Sequence, residues 1–412
     1  MIKNILAVII LLMTGQVLGA SLFTSTTVLE PVRLAVTEQA GITADVDVSL
    51  LQKQEPSFII ELPGGQTLTA VFKSLRANQQ KGYSWQGFVK GDTSQTITLS
   101  VYEDAIAGSI HSQQAVYEIQ PLGQFRVRVV ELNSAEFPEC SGAQSVPNQD
   151  NLYFLESPLK NKRANEVVDV IVVYTPQARI GAGGHNAIKA TAQAAVDAMN
   201  SSINNSLVDT EIVLLYSGEV NYNETTDGSQ DLAWAQSSSE VRNLLDTYGA
   251  DMVSLLVDEM SNGCGIGYVM RNPSPGFRNY AVQVTDKDCA VGNLSFAHEF
   301  GHNMGLEHDP ANGPSPGNAS YPWSFGHFHN NSYRTVMSYS NQCTSGCSRR
   351  QYFSNPSVSY LGLATGIDNM RDNARTLDLT SPVTAAFRTR KADGIFANGF
   401  EVDDLIFKSG FE

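Results

Sequence analysis

Three histidines and a glutamate occur in one short segment, at spacings that suit a metal site. Residues 298–309 read His-Glu-Phe-Gly-His-Asn-Met-Gly-Leu-Glu-His-Asp. If this segment is helical, His298 and His302 are four residues apart and their imidazoles lie on one face, where they can hold one metal ion. Gly305 falls where a helix end needs a positive φ, so the chain can turn there and bring His308 back as a third ligand.

The same segment carries a candidate catalytic base. Three neutral imidazoles would leave Zn2+ a fourth position open to water, as in catalytic rather than structural sites. Glu299 adjoins the first ligand and can take a proton from that water as it attacks a carbonyl, then pass the proton to a leaving amine. The alternative is an amphipathic helix with surface histidines. We prefer the metal site, because Gly305 and His308 also occupy the offsets that it requires.

The elements around this motif alternate between strand and helix. Apolar and β-branched runs predict strands at 167–174, 210–216 and 251–257, with an edge strand at 280–284. Helical composition marks 186–200 and 238–248. This alternation predicts an α/β domain with a largely parallel sheet over residues 166–390.

The remaining parts of the chain differ in composition. Residues 21–145 contain strand-like runs between turn residues and predict a β-rich domain, with runs at 57–62, 67–72, 96–101 and 125–130. Residues 146–165 are polar, carry a basic patch at 160–163 and predict an exposed, protease-sensitive linker. The tail at 391–412 repeats Ile-Phe-x-x-Gly-Phe-Glu and is interpreted either as a sorting or surface-retention tag or as a disordered end.

Residues 1–20 have the pattern of a secretory signal peptide. Lys3 precedes an apolar run at 5–13, and Leu18-Gly-Ala20 offers a small-residue cleavage site. This run is too short to cross a bilayer, so a retained anchor is the less favoured alternative, and no other segment could span a membrane. The chain has 27 Lys plus Arg against 42 Asp plus Glu, a net charge of −15 that argues against nucleic-acid binding. We expect a secreted protein, with periplasmic or surface retention as variants.

The segment 298–309 resembles the zinc motif of the metzincin endopeptidases, His-Glu-x-x-His-x-x-Gly-x-x-His followed by a Met-turn. Asp309, directly after the third histidine, is similar to the adamalysin/reprolysin branch, and Thr335-Val-Met-Ser-Tyr339 lies where a Met-turn is expected. The resemblance implies a metzincin catalytic domain with a twisted, mostly parallel sheet, in which Met337 packs beneath the metal ligands. Tyr339 is similar to the tyrosine of the serralysin and astacin branches, which ligates the metal or stabilises the oxyanion. A packing role is the alternative for Tyr339.

The cysteines are interpreted for an oxidising compartment, in which four of the five would pair. Cys343 and Cys347 can close a short loop, and Cys264 with Cys289 could close a longer one. The sequence leaves this pairing open.

Cys140 lies far upstream of the other cysteines, at the end of the β-rich region, in Pro138-Glu-Cys-Ser-Gly142. In adamalysin-like proenzymes a propeptide cysteine fills the fourth metal position in place of water. Those motifs usually have Gly after the cysteine, where Ser141 stands here. Our hypothesis is a cysteine switch at Cys140, and the alternative is an unpaired or differently bridged cysteine.

Residues and resemblance together predict a secreted zinc metalloendopeptidase made as a proenzyme, with a β-rich prodomain released by cleavage near 162–163. One catalytic Zn2+ is expected on His298, His302 and His308. The resemblance adds structural Ca2+, although no EF-hand loop or Gly/Asp nonapeptide array occurs. The expected partners are protein or peptide substrates, and the expected state is a monomer. Two alternatives are an exported binding or adhesion protein with a non-proteolytic zinc domain, and a zinc hydrolase acting on cell-wall peptides.

Overall fold

The computed structural model describes residues 19–78, 81–146, 166–344 and 347–391. Nearly all of the predicted signal peptide at 1–20 falls outside the described residues, as do most of the linker at 146–165 and of the tail at 391–412. Within the described residues, the N-terminal region builds one large sheet, and the region with the histidine motif builds most of a second.

The N-terminal region is organised around a nine-stranded sheet with the order β1-β2-β9-β8-β7-β6-β5-β4-β3. All of its neighbouring strands are antiparallel. Phe58 and Trp85 pack together in a buried core that belongs to this region. The four runs predicted here as strands lie in β3, β4, β6 and β9. The elements are β1 (Phe23–Val28), β2 (Glu38–Val46), α1 (Val48–Gln52), β3 (Ser57–Glu61), β4 (Thr67–Asn78), β5 (Gly82–Val89), β6 (Asp92–Tyr102), β7 (Ala105–His111), β8 (Val116–Gly123) and β9 (Arg126–Leu132).

The second sheet has six strands in the order β10-β14-β15-β13-β11-β12. Neighbours pair in parallel except β14 with β15, which are antiparallel. The prediction of an edge strand at 280–284 is wrong, because β15 lies inside the sheet between β13 and β14. The strands are β10 (Gln144–Ser145), β11 (Glu166–Tyr174), β12 (Thr210–Glu219), β13 (Met252–Val257), β14 (Gly265–Val269) and β15 (Val282–Asp286).

Helices cover both faces of the second sheet. Alternate residues of β11 enter two cores: Val170 and Val172 pack with α3 and α6, whereas Ile171 and Val173 pack with α4 and α5. No helix in the described part of the chain combines the length and apolar character needed to cross a bilayer. The helices are α2 (Pro176–Gly181), α3 (His185–Asn205), α4 (Gly228–Ser237), α5 (Ser239–Tyr248), α6 (Ser295–Asn303) and α7 (Asn373–Thr384).

Short strands complete the C-terminal part of this region. A three-stranded sheet has the order β16-β17-β18, and β19 pairs with β20. Their bounds are β16 (Phe328–His329), β17 (Tyr333–Arg334), β18 (Ser348–Arg349), β19 (Ser359–Tyr360) and β20 (Leu363–Ala364).

Helix α3 joins the two regions. Ala105 and Ala107 of β7 belong to the same buried core as the alanines of α3, so small side chains allow close approach. The buried Asp197 carboxylate on α3 accepts hydrogen bonds from the hydroxyls of Ser84 and Ser100, both at 2.5 Å. Burial raises the pKa of Asp197, against the opposing effect of these hydrogen bonds. The N-terminal sheet is therefore held on α3 by close packing of small side chains and by the hydrogen bonds to the buried Asp197 carboxylate.

Candidate metal centre and active site

The histidine motif lies on α6 and on the turn that follows it. Every residue of α6 is buried, between the second sheet and the C-terminal segments. Gly305 has a φ of +88° and reverses the chain after the helix, in a conformation that strains any other residue. This reversal brings His308 back beside His298 and His302.

The three imidazoles converge through their Nε2 atoms. His308 Nε2 lies 2.9 Å from His302 Nε2 and 3.2 Å from His298 Nε2. Each Nδ1 faces a backbone carbonyl, which can only accept, so each Nδ1 carries the proton and each Nε2 presents a lone pair. Three lone pairs facing one another need a cation between them, so the residues fit the predicted metal. For His298, His302 and His308 in turn, the carbonyls are those of Val336 at 2.8 Å, Leu306 at 2.8 Å and Asn312 at 3.3 Å.

Burial keeps these imidazoles neutral. It lowers the pKa of His298 and His302 well below the usual value, and that of His308 to about 4. A neutral imidazole is the form that ligates a metal. At neutral pH no proton therefore competes for the three Nε2 atoms.

Glu299 is buried beside the first histidine. Neither of its carboxylate oxygens has a hydrogen-bond partner among the described residues. Burial raises its pKa well above the usual value, although the charge of Arg349 opposes this. Gly265 of β14 provides the space, since a Cβ there would lie 2.7 Å from Glu299 Cγ. A buried carboxylate with free lone pairs next to a metal site suits proton transfer.

Met337 lies directly under α6. It is fully buried, and a Cβ at Gly301 would come within 2.5 Å of its sulfur. The glycine inside the histidine motif is therefore what lets this methionine approach the helix. The neighbouring Val336 supplies the carbonyl that accepts a hydrogen bond from His298. The same turn therefore positions both the methionine under the helix and the imidazole of His298.

Asp309 connects the third histidine to the segment that carries Tyr339. Its buried carboxylate accepts the backbone N–H of Tyr339 at 3.0 Å and that of Ala311 at 3.1 Å. The ring centroids of Tyr339 and His308 are 4.2 Å apart. Burial raises the pKa of Tyr339, which keeps its hydroxyl protonated and able to donate.

Cys140 reaches the same point from the N-terminal region. Its sulfur lies 3.1 Å from His308 Nε2 and 2.8 Å from the Tyr339 hydroxyl. The sulfur and the ligand nitrogens of the three histidines all lie within 4.8 Å of one another. One thiol and three imidazoles are a donor set for four-coordinate zinc.

The other four cysteines form two disulfides. Cys264 pairs with Cys289, and Cys343 pairs with Cys347. Cys140 is the free cysteine. The structure thus selects one of the pairings that the sequence left open, and it leaves the Cys140 thiol available to the histidine cluster.

Comparison with known proteins points to the same chemistry. The sequence model of metallo-peptidase family M12, of the reprolysin type, matches residues 164–354. A peptidyl-Asp metalloendopeptidase of Xanthomonas campestris pv. campestris is 28% identical over 369 residues, which span 83% of this chain and 84% of that protein. The enzyme of the same name from Stenotrophomonas maltophilia is 27% identical, over 86% of this chain and 89% of that protein. The chain is a metalloendopeptidase that is similar to the reprolysin-type M12 family in its histidine-containing region. A third enzyme of that name, from Pseudomonas fragi, is 37% identical over 108 residues, or 25% of this chain and 65% of that protein.

Two features of this metalloendopeptidase were missed by sequence reasoning. The first is strand β14, whose Gly265 lies against Glu299. The second is a contact between Glu139, next to Cys140, and two buried arginines, Arg334 and Arg349. The sequence does show an acidic residue, Glu139, directly before the candidate switch cysteine. No sequence pattern indicates that Glu139 contacts Arg334 and Arg349.

Replacing Gly301 with alanine should loosen the metal centre. The new Cβ would overlap the Met337 sulfur, and relief of such overpacking costs about 1–3 kcal/mol. We expect Gly301→Ala to lower the melting temperature and to lose metal faster on dialysis, measured by thermal unfolding and metal analysis. Gly317→Ala is the matched control, because a Cβ there meets nothing within 4 Å. Equal behaviour of the two variants would contradict the proposed packing.

Proposed function

We propose that the chain is a secreted zinc endopeptidase made as a latent proenzyme. The observation that carries the proposal is the set of four converging ligand atoms, in which Cys140 accompanies His298, His302 and His308 beside the buried Glu299. Secretion is supported by the signal pattern at 1–20 and by the two disulfides, since disulfides persist in oxidising compartments.

In the proposed mechanism the three histidines hold one Zn2+. When bound, zinc supplies Lewis-acid chemistry that polarises the peptide carbonyl and makes water a stronger acid. Glu299 takes the proton from the attacking water and delivers it to the leaving amine. Tyr339 donates its hydroxyl hydrogen bond to the negative charge that develops on the carbonyl oxygen.

Latency is proposed to come from the segment around Cys140. The Cys140 thiolate would hold the metal together with the three histidines, and it would exclude water and substrate from the metal. The backbone of the segment also occupies the sheet edge: Ser141 N–H donates to Gly265 O at 2.8 Å, and Cys264 N–H donates to Glu139 O at 3.2 Å. An extended peptide added to a strand edge is a common mode of substrate binding, and here the proenzyme's own chain fills it. Residues 21 to about 163 are then the prodomain.

The relatives add a substrate preference to the proposal. Their name, peptidyl-Asp metalloendopeptidase, specifies an aspartyl peptide. We extend this to the present chain as cleavage of a peptide bond next to an acidic residue.

Glu299→Gln should abolish hydrolysis and leave metal binding intact. The amide keeps the shape of the side chain but cannot accept the proton, so kcat/KM should fall by roughly 10³-fold. Hydrolysis of a quenched fluorescent peptide and metal analysis on the same preparation measure the two effects, after cleavage in the 147–165 segment. His302→Ala is the comparison, because it should lose metal and activity together. Normal turnover by Glu299→Gln, or activity of the parent enzyme after complete zinc removal, would refute the mechanism.

Tyr339→Phe should lower kcat more than it raises KM. Loss of one hydrogen-bond donor to the developing oxyanion typically costs about 100-fold in kcat. The measurement is steady-state kinetics with the same peptide, with metal content checked to be unchanged. A kcat equal to that of the parent enzyme would assign Tyr339 to packing against His308 instead.

Cys140→Ser should make the uncleaved chain active. A serine hydroxyl stays protonated and does not replace a thiolate ligand, so the variant should exceed the activity of the uncleaved parent by at least about 10-fold. Ser141→Ala is the neighbouring control and should remain silent. Peptide hydrolysis is measured while a gel verifies that the chain is intact. In the single variant the Glu139 segment still lies on the sheet edge, so the double variant Glu139→Gln/Cys140→Ser is measured beside it. Full activity of the uncleaved parent, or silence of both variants, would remove the switch.

A further inference from the structure

Two buried arginines face each other beside the active site. Arg334 of β17 and Arg349 of β18 are partners in a parallel strand pair, with side chains only 1% and 3% exposed. Two like charges side by side in a buried site are unfavourable unless an anion compensates them. The charges of Asp309 near Arg334 and of Glu299 near Arg349 offset part of this repulsion, and the arrangement therefore favours a further negatively charged group between the two guanidinium groups.

The occupant in this structure is the carboxylate of Glu139. Its Oε2 lies 3.3 Å from a guanidinium nitrogen of each arginine. Its Oε1 accepts the backbone N–H of Ser340 at 2.5 Å. We call the two guanidinium groups and this N–H the carboxylate cradle.

The cradle is held by the catalytic region itself. Arg334 donates to the Ser338 carbonyl at 2.7 Å and to the Cys347 carbonyl at 3.3 Å, and Arg349 donates to the Asn293 carbonyl at 2.9 Å. These partners fix both side chains without help from the N-terminal region. The disulfide between Cys343 and Cys347 lies in the connection between the two strands. The cradle would therefore remain assembled, with its anion missing, once the N-terminal region is gone.

The cradle lies one residue from the reacting centre. Glu139 is bonded to Cys140, whose sulfur is 3.1 Å from His308 Nε2, and Ser340 follows Tyr339 in the chain. The backbone of Glu139 pairs with the start of the sheet edge at Cys264. A peptide on the same edge, with its scissile carbonyl at the metal, would bring a neighbouring side chain to the two arginines.

We infer that the Arg334–Arg349 cradle is the subsite that selects an acidic side chain next to the scissile bond, and that Glu139 fills it in the proenzyme as a substrate mimic. This inference rests on the proposed function and gives its acidic preference a structural basis. The Cys140 segment then blocks two sites together, the metal through the thiol and the specificity subsite through the carboxylate.

The first test compares peptides that differ only in Asp or Asn beside the cleaved bond. The full chain is folded, cleaved in the 147–165 segment and freed of its N-terminal fragment. We expect the parent to prefer Asp by at least about 30-fold in kcat/KM, because the neutral isostere leaves buried charge uncompensated. In Arg349→Met the ratio of kcat/KM for the Asp peptide to that for the Asn peptide should fall below about 3-fold, because one of the two charges that hold the carboxylate is lost.

Arg350→Met is the matched control. This neighbouring arginine is also buried, but its guanidinium donates to the carbonyl of Ser112 at 2.6 Å and not to Glu139. The preference of Arg350→Met for the Asp peptide over the Asn peptide should equal that of the parent enzyme. Equal cleavage of Asp and Asn peptides by the parent, or an unchanged preference in Arg349→Met, would overturn the inference while the endopeptidase proposal survives. A matured enzyme that cleaves no peptide would overturn both.

A second test needs no arginine variant. A synthetic peptide of residues 136–143 should inhibit the matured parent enzyme, and the same peptide with Glu139→Gln should inhibit about 30-fold more weakly. Both peptides keep Cys140, so metal binding by the thiol is matched between them. Equal inhibition constants would show that the carboxylate is not recognised and would overturn the inference.

Discussion

The metal centre depends on three hydrogen bonds that place a proton on the outer nitrogen of each histidine. Because backbone carbonyls hold the Nδ1 atoms of His298, His302 and His308, the three Nε2 lone pairs must face inward. Buried lone pairs that face one another repel, so a cation that binds between them is strongly stabilised. Three features hold these carbonyls and imidazole rings in place. They are the turn at Gly305, the hydrogen bond from the Tyr339 N–H to Asp309, and the packing of Met337 under α6.

The N-terminal region meets this centre through a very short piece of chain. Glu139 and Cys140 contact, respectively, the buried arginine pair and the histidine cluster. Strands β5 to β8 of the nine-stranded sheet contact α3, and the sheet supports the segment that carries Glu139 and Cys140. The packing of the whole N-terminal region already holds Glu139 and Cys140 in position. Their contact with the second region therefore costs little additional conformational entropy.

The sequence predicted the centre better than its surroundings. The offsets of His298, His302, Gly305 and His308 are local, so helix geometry alone brings them together. Cys140 required family resemblance, since 158 residues separate it from His298. The strand β14 was missed because Gly265 and Gly267 weaken the apolar pattern of a strand. Arg334 and Arg349 became neighbours through the pairing of two-residue strands, which leaves no periodic trace in the sequence.

The docking of the N-terminal sheet on α3 has a consequence for what a cut between residues 146 and 166 does. The serine contacts to Asp197 and the alanine packing around α3 do not involve the linker, so a cut leaves them intact. If the N-terminal region is the inhibitor proposed above, cleavage converts it from a tethered group into a separate molecule that obeys mass action. Dilution after the cut, rather than the cut itself, would set how quickly the active site opens.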